Sequence, residues 1–483
     1  MVFSSPLFLF LFLPVVLLVY VGLVNRRAQN LWLLVASLLF YAWGEQGFVL
    51  VMLASIVFNY AMGLLVAGTR QRPWVCRCGL ILAVAGNLGM LGFYKYAGFL
   101  VDNTNALLAG AGLTLVPSLS VHLPIGISFF TFQALSYVID VYRQEVVARR
   151  NPLDVGLYIS MFPQLIAGPI VRYRDVAAEI ERRLYSLDGF VSGIRMFTVG
   201  LGKKMILANT FSRVADGVFA MPTGEVPAAA AWTGLVAYTL QIYFDFAGYS
   251  DMAIGLGRML GFHFPINFNY PYISRSIRDF WQRWHISLSS WLRDYLYIPL
   301  GGSRRSRVRT YLNLVVVFLL CGLWHGASWN FAVWGLFHGG FLVLERAMRP
   351  PRPVHLPGAI RHMYVLLVVM VGWVFFRTET LADALRFLTG MVGAHGWSSA
   401  AYPARLWWDT PTLICLAVAI PACTPLFVRL RFQSQTMRAG HWAERLVPLA
   451  RRIAECGGLL VIWGLSAMLL AKGTHNPFIY FRF

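Results

Sequence analysis

Long apolar stretches recur along the whole chain, and they restrict its possible folds more than any other feature. Hydrophobic residues make up 58% of the 483 residues and charged residues only 13%, whereas a soluble domain carries about a quarter charged residues. A stretch of about 20 apolar residues matches the thickness of a bilayer. We therefore predict an all-α membrane protein with about 11 to 12 spans. The spans fall near 8–24, 30–43, 48–67, 79–97, 123–140, 190–207, 229–250, 310–325, 328–346, 361–377, 410–428 and 456–471.

The basic residues concentrate in alternate loops between these spans. The net charge is +20, but it does not indicate nucleic-acid binding, because Lys and Arg cluster in short loops as they do on the cytoplasmic side of membrane proteins. If the chain starts outside, the predicted cytoplasmic loops hold 30 of the 41 basic residues and the outer loops hold 5. This orientation places residues 98–122 and 472–483 outside, and residues 251–309 and 429–455 inside.

The cysteine spacing argues against disulfides and a metal site, and the first residues argue against a cleaved signal peptide. Six cysteines are scattered, only Cys76 and Cys78 are close, and C-x-C alone is not a zinc motif, so we expect neither a disulfide framework nor a metal site. The first apolar run has no basic residues before it, and Arg26 and Arg27 follow it. This pattern favours a first span over a cleaved signal peptide. No soluble domain separates from the rest, which predicts one membrane domain over 1–483.

One apolar segment, 153–170, lies between two basic stretches of the same predicted cytoplasmic loop. It contains Pro163, Gly168 and Pro169, which interrupt regular helix. Irregular backbone at membrane depth is tolerated only where protein covers it. We interpret the segment as a re-entrant hairpin.

The segment 276–296 combines aromatic and basic residues at helical spacing. Its apolar positions are Phe280, Trp281, Trp284, Leu288, Trp291, Leu292 and Tyr295. Tryptophan-rich amphipathic helices with interleaved arginines lie in the bilayer interface. His285 falls at the edge of the apolar stripe. Periodicity alone favours an interfacial helix whose histidine is solvent-exposed and has no functional role. A functional histidine is the alternative.

The histidine of the Trp324-His325-Gly326 sequence ends a long charge-free run. His325 lies ~24 Å along a helix from Arg309, at ~1.5 Å per residue. An ionisable residue deep in a membrane is costly, and this favours a functional role over a structural histidine bonded to a carbonyl. Gly322 and Gly326 leave room for a ligand or another helix. His338 is a weaker candidate for a functional residue than His325.

Two carboxylates, Asp245 and Asp251, lie in an apolar, glycine-rich and aromatic stretch. They are candidates to orient a histidine or to line a polar tunnel. Helix capping and packing against Arg258 or Arg278 is an equally good interpretation.

The C-terminus is aromatic to its last residue, although chain ends are usually polar. We expect residues 476–483 to dock into the protein. Tyr480 adds an ionisable hydroxyl to this segment. Composition does not separate a chemical role from an apolar plug.

Arginines cluster in the largest predicted cytoplasmic loop. A phosphate-rich ligand such as coenzyme A would suit them, although the positive-inside rule predicts the same residues. The cluster comprises Arg258, Arg275, Arg278, Arg283, Arg293, Arg304, Arg305 and Arg307.

With these segments identified, the chain resembles the membrane-bound O-acyltransferases. Within that family it is most similar to the membrane subunits of bacterial alginate, polysaccharide and peptidoglycan O-acetylation systems. The resemblance covers nearly the whole chain. It rests on PIGISFFTFQALSYVIDVYR (124–143), FPQLIAGPIVRY (162–173), YFDFAGYSDMAIGLG (243–257), the segment 267–302, GLWHGASWNF (322–331) and the closing PFIYFRF.

The resemblance implies a ring of helices around a thinned central funnel. It implies that His325 is the essential histidine, that His285 is its second histidine, and that Tyr480 matches a tyrosine that carries the acyl group in a related system. We further predict that Trp324, Asp245 and Asp251 line the path of the donor. Arg278, Arg283 and Arg293 are predicted to bind it.

We predict that the protein transfers an acyl group from cytoplasmic acetyl-CoA or another thioester to an extracytoplasmic polysaccharide such as alginate. The expected acyl group is acetyl. No permanently bound cofactor, metal or nucleic acid is expected. An extracytoplasmic acetyltransferase partner and the bacterial inner membrane follow from the resemblance. A polysaccharide transporter or flippase and a lipid O-acyltransferase of the same superfamily are the alternatives.

Overall fold

The computed structural model describes residues 1–222, 224–348, 356–399, 402–403, 406–429 and 443–473, and every regular element in these ranges is a helix. The longer α-helices are Leu13–Gly22, Arg26–Glu45, Val49–Gly68, Pro73–Gly110, Ile127–Tyr142, Pro152–Ser160, Tyr173–Glu181, Leu187–Gly202, Asn209–Phe219, Ala228–Met259, Arg307–His325, Trp329–Ala347, Gly358–Arg377, Leu381–Met391, Thr410–Ala422 and Ala443–Ala471. Shorter α-helices are Phe162–Leu165, Ile277–Arg283 and Ile286–Leu292; π-helical turns are Phe8–Phe12, Lys203–Ala208 and Arg293–Tyr297; 3-10 turns are Gln46–Phe48 and Pro271–Ile273.

Each predicted span coincides with a helix, which confirms the prediction of an all-α, multi-span membrane protein. Length and composition make five described helical segments long and apolar enough to cross a membrane. These are Arg26–Gly68, Pro73–Gly110, Arg307–His325, Gly358–Arg377 and Arg452–Ala471, the first of which contains two helices. Phe8–Gly22, Ile127–Tyr142 and Thr410–Ala422 are shorter apolar helices.

The segment predicted as a re-entrant hairpin is broken and enclosed by protein. Its helix Pro152–Ser160 ends before Met161, a four-residue helix follows, and every residue in 155–171 is buried. The Phe162 N–H donates to Ser37 Oγ at 3.0 Å, and Tyr158 Oη donates to the Val171 carbonyl at 2.9 Å. Partners for the backbone of this broken segment come both from a surrounding helix and from a side chain of the segment itself, as its depth requires.

The helix Ala228–Met259, here the central helix, is buried along most of its length. Two pairs of glycines bring it against the helix Leu187–Gly202. A methyl group on Gly200 would lie 2.6 Å from the Gly248 carbonyl oxygen, and one on Gly193 would lie 2.6 Å from that of Gly255. Small residues of this kind let membrane helices approach at backbone distance.

The helix Arg307–His325, here the His325 helix, packs along Trp329–Ala347, here the returning helix. Gly322 and Gly326 make this contact possible. A methyl group on Gly322 would clash with the Phe331 carbonyl, and one on Gly326 would clash with the Phe331 ring. The sequence analysis allowed these glycines to make room for a ligand or for another helix. In the structure they make room for the returning helix.

Candidate active site

The single helix predicted over 276–296 is instead two short helices that meet at His285. Ile277–Arg283 ends before Trp284, His285 adopts the left-handed conformation with φ 43° and ψ 55°, and Ile286–Leu292 begins immediately after it. The apolar stripe faces the protein interior rather than the bilayer interface. Its buried members are Phe280, Trp281, Trp284, Leu288, Trp291, Leu292 and Tyr295.

This backbone break turns the His285 ring into the core, where the side chain is 1% exposed. Left-handed backbone is unfavourable for a non-glycine residue and persists where surrounding structure enforces it. Here the constraint comes from Asn267. Its carbonyl accepts the Ile286 N–H at 2.9 Å, and its side-chain oxygen lies 3.1 Å from His285 Nδ1.

The hydrogen bonds around Asn267 assign the tautomer of His285. The Ser287 backbone N–H, which can only donate, lies 3.3 Å from Asn267 Oδ1, and Asn267 Nδ2 donates to Ser250 Oγ at 3.0 Å, so Asn267 Oδ1 is the atom that faces the histidine. Ser287 Oγ also donates to that oxygen at 2.9 Å. Because an amide oxygen only accepts, His285 Nδ1 carries the proton and Nε2 keeps a lone pair. His285 Nε2 has no hydrogen-bond partner among the residues that the structure describes.

The same network reaches the re-entrant segment. The Ile170 N–H donates to Ser287 Oγ at 2.9 Å, so Ser287 links that segment to Asn267 and thereby to His285. Ile170 of the re-entrant segment, Asn267 and Ser287 therefore form one hydrogen-bonded network around the His285 ring.

His325 is the last residue of its helix and is 4% exposed. Its ring centroid lies 6.5 Å from that of His285, with the two planes at 58°. Three aromatic rings also lie close to it: Trp324 at 4.9 Å, Trp334 at 5.2 Å and Phe376 at 5.2 Å between centroids. The sequence singled out both histidines separately, and the structure brings them together.

Trp324, predicted to line the donor path, lies beside this pair. Its ring stacks on Phe132 at 5.5 Å and lies 6.1 Å from His285. Phe132 in turn stacks on Trp291 at 3.8 Å. Trp324 therefore packs against both histidine rings.

A cavity of about 840 Å³ lies next to the end of the His325 helix. Its lining comes mostly from residues in or beside loops that the charge pattern predicts outside. It also includes Gln241, which lies about 20 Å along the central helix from its start at ~1.5 Å per residue. The lining comprises Lys95, Leu123, Phe219, Ala220, Tyr238, Gln241, Gly326, Ala327, Ser328, Phe331, Phe376, Arg377, Thr378 and Glu379. We call it the outer cavity.

The two predicted carboxylates are paired with lysines of a neighbouring π-helical turn. Asp245 Oδ1 lies 2.7 Å from Lys204 Nζ, and both side chains are almost fully buried. Asp251 Oδ2 lies 2.6 Å from Lys203 Nζ. These ion pairs replace the predicted packing against Arg258 or Arg278. They join the central helix to Lys203–Ala208 within the bundle.

The three arginines predicted to bind the donor differ in their surroundings. Arg278 is exposed. Arg283 Nε donates to Asp279 at 2.7 Å, and Arg293 Nε donates to Asp294 at 2.7 Å. Two of the three guanidinium groups are therefore already engaged with carboxylates of the chain.

Asp294 is the centre of a larger arginine cluster on the predicted cytoplasmic side. Arg172 and Arg174 lie 2.6 and 2.7 Å from its Oδ2. Burial raises the pKa of the Asp294 carboxyl, but the hydrogen bond and charge of Arg293, followed by the charges of Arg172 and Arg174, outweigh burial and hold the pKa below its usual range. This cluster fastens the re-entrant segment to the turn Arg293–Tyr297.

Sequence reasoning missed two residues of the site, Asn267 and Lys95. Asn267 stood within a segment that carried the family resemblance, but nothing in its spacing marked it. Lys95 is a charge inside a predicted span, a signal that by itself favours function. Tyr480, the third predicted catalytic residue, lies outside the described residues.

The fold and the site together define a multi-span helical membrane protein with two histidines at its centre. The chain matches the profile of the membrane-bound O-acyltransferase family over residues 116–386. It belongs to that family, and it is an acyltransferase.

Individual relatives extend the similarity beyond this region. The probable alginate O-acetylase AlgI of Azotobacter vinelandii is 41% identical over 100% of both chains. The protein of the same name from Pseudomonas syringae pv. tomato is 47% identical over 82% of this chain and 76% of its own. The peptidoglycan O-acetyltransferase of Helicobacter pylori is 38% identical over 82% of this chain and 80% of its own.

Proposed function

We propose that this protein takes an acetyl group from a cytoplasmic thioester and passes it across the membrane for O-acetylation of an extracytoplasmic polysaccharide. The observation that carries the proposal is the His285–His325 pair, 6.5 Å apart in the core of the bundle, beside a cavity on the predicted outer side. Relatives named as alginate O-acetylases and a peptidoglycan O-acetyltransferase support the acceptor class.

The chemistry assigns different tasks to the two imidazoles. His325 takes the proton of the acceptor hydroxyl as its oxygen attacks the thioester carbonyl carbon. The C–S bond then breaks, and the proton returns to the leaving sulfur to give the free thiol. His285, held through Nδ1, keeps the Nε2 lone pair for the reaction and assists this proton transfer.

Acetyl-CoA is the proposed donor, and its phosphates need cations on the cytoplasmic side. A second cavity, of about 540 Å³, lies at the start of the His325 helix and includes Arg305 and Arg309 in its lining. Both arginines are exposed. They suit phosphate binding better than Arg283 and Arg293, whose guanidinium groups are bonded to carboxylates.

On the outer side, the proposed first acceptor is the hydroxyl of Tyr480. A phenol ester is reactive enough to pass its acyl group on, because the phenol pKa is about 10. An extracytoplasmic transferase would then deliver the group to the polysaccharide. The proposed location is the cytoplasmic membrane of a bacterium, since this arrangement needs a thioester on one side and a polymer on the other.

The experiment that tests the proposal replaces His325. His325→Ala and His325→Gln should each lower polymer O-acetylation by about 10²- to 10⁴-fold, the usual loss when a general base is removed. The matched control is His263→Ala, because His263 is exposed and its ring bonds only to Glu179 on the cytoplasmic side in the described structure. Base-labile acetate on the exported polymer is measured, with protein amount checked by immunoblot.

The Gln variant separates the proposed enzyme from a transporter. Glutamine keeps a polar side chain of similar reach but is not a base, so a transporter would keep its function with it. Normal acetylation by stable His325→Gln protein would contradict the proposed chemistry.

A further inference from the structure

The end of the His325 helix is held by a lysine from another helix. Lys95, on Pro73–Gly110, donates from Nζ to the carbonyl of Trp324 at 2.5 Å and to that of His325 at 3.2 Å. Its third hydrogen bond, at 3.3 Å, reaches Ser128 Oγ. An ammonium group has three N–H donors, so this arrangement uses all of them.

Tyr96, which follows Lys95 in the chain, bonds to the Leu323 carbonyl, one residue before Trp324. Tyr96 Oη donates to the Leu323 carbonyl at 2.6 Å. A helix leaves its last four carbonyls without intrahelical partners. Here the first of the four, at Gly322, accepts the Gly326 N–H at 3.3 Å, and the other three accept from Lys95 and Tyr96.

The charge of Lys95 suits this position. A cation is stabilised at the C-terminus of a helix, where the carbonyl ends carry partial negative charge. Lys95 is partly buried inside a membrane span, a costly place for an ammonium group. Its side chain also lines the outer cavity, so Lys95 lies at the boundary between that cavity and His325.

We propose that Lys95 is a positioning residue for the acyl transfer, and this inference rests on the proposed function. By holding the carbonyls of Trp324 and His325, Lys95 fixes the height and rotation of the last helical turn. It thereby sets where the His325 ring stands relative to His285 and to the outer cavity. Lys95 acts through the backbone of His325.

The expected effect of losing Lys95 on kcat and KM follows from the distance between Lys95 and the proposed donor site. A shift of about 1 Å in a reacting group costs about 10²-fold in rate. The cavity with Arg305 and Arg309 lies at the opposite end of the His325 helix, so we expect loss of the Lys95 hydrogen bonds to leave donor binding unchanged. Loss of Lys95 should therefore lower kcat without raising the KM for the donor.

The test uses the full-length protein in inside-out membrane vesicles, with radiolabelled acetyl-CoA as the probe and base-labile radioactivity in protein and polymer as the product. Lys95→Met keeps the aliphatic stem and removes the donors. We expect its kcat to fall by about tenfold to 10²-fold, with the KM for acetyl-CoA within about twofold of wild type. Lys95→Arg keeps a cation with several N–H donors and should recover most of the lost kcat.

Two comparisons make the result decisive. Lys472→Met makes the same substitution at an exposed lysine directly after the helix Ala443–Ala471 and should stay close to wild type. His325→Ala reports on the proposed function itself. If His325→Ala is inactive while Lys95→Met keeps full kcat, the positioning role is refuted and the proposed function stands. If His325→Ala is fully active, the proposed function fails instead.

Folding is checked separately from activity. Each variant is examined by size-exclusion chromatography in detergent before assay. If Lys95→Met does not accumulate, Lys95→Gln is assayed in its place, because one amide group does not replace all three donors of the ammonium group. A wild-type kcat for Lys95→Gln, or a fall in kcat that Lys95→Arg does not recover, would overturn the proposal.

Discussion

The imidazole ring centroids of His285 and His325 lie 6.5 Å apart with their planes at 58°, although 39 residues separate the two histidines in the chain. His325 reaches this point as the last residue of a long membrane helix. His285 reaches it because two short helices break at that residue. The two histidines depend on different supports: Asn267 holds the ring of His285, and Lys95 holds the backbone of His325.

Asn267→Ala should lower acyl transfer by about 10- to 100-fold, the usual effect of removing the partner that orients a functional histidine. The loss follows because Asn267 Oδ1 fixes both the tautomer and the orientation of His285. Asn105→Ala is the matched control, since Asn105 bonds only to the backbone of Val116 in the described structure. Polymer acetylation is measured at equal protein amounts. Equal activity of the two variants would show that His285 does not need this support.

Tyr96→Phe should lower kcat by about threefold to tenfold, because it removes one hydrogen bond, worth about 1 kcal/mol, from the end of the His325 helix. Tyr60→Phe removes a tyrosine–carbonyl bond of similar length, 2.7 Å to Arg150, away from the site. The vesicle assay compares the two variants. An equal effect of both substitutions would mean that the loss reflects general stability rather than the position of His325.

The orientation of the chain is tested by labelling. In a variant without native cysteines, single cysteines at Ser118 and Ser303, which are both exposed, should react from opposite sides of the membrane. The positive-inside rule predicts that Ser118 lies outside. An impermeant maleimide applied to intact spheroplasts should label only the cysteine at 118. Labelling of both positions, or of 303 alone, would contradict the orientation.

Tyr480→Phe should stop transfer to the polymer while protein amount stays normal, because phenylalanine keeps the ring and removes only the nucleophile. Mass spectrometry of the C-terminal peptide, from cells that lack the polymer, should show an acetyl ester on Tyr480 in the wild type. Tyr402→Phe is the control for loss of another hydroxyl on the predicted outer side. Full polymer acetylation by Tyr480→Phe would rule out the carrier role.

Hydrophobicity along the chain was enough to predict the membrane spans and, in outline, the chemistry that they carry. Within a bilayer the backbone must satisfy its own hydrogen bonds, so a window of about 20 apolar residues is enough to predict a helix. The structure has a helix at each predicted span. An ionisable residue inside such a window is also a local signal, which is why His325 was found from the sequence.

How these residues come together could be seen only in the folded protein. The periodicity of 276–296 predicts one continuous helix, and the break at His285 depends on Asn267, 18 positions earlier. Asp245 pairs with Lys204, and Lys95 bonds to His325, 230 positions away. Such contacts depend on how helices pack against one another, and helix packing follows from the shapes of all the facing side chains together. Local hydrophobicity therefore fixes the spans, whereas long-range packing fixes the site.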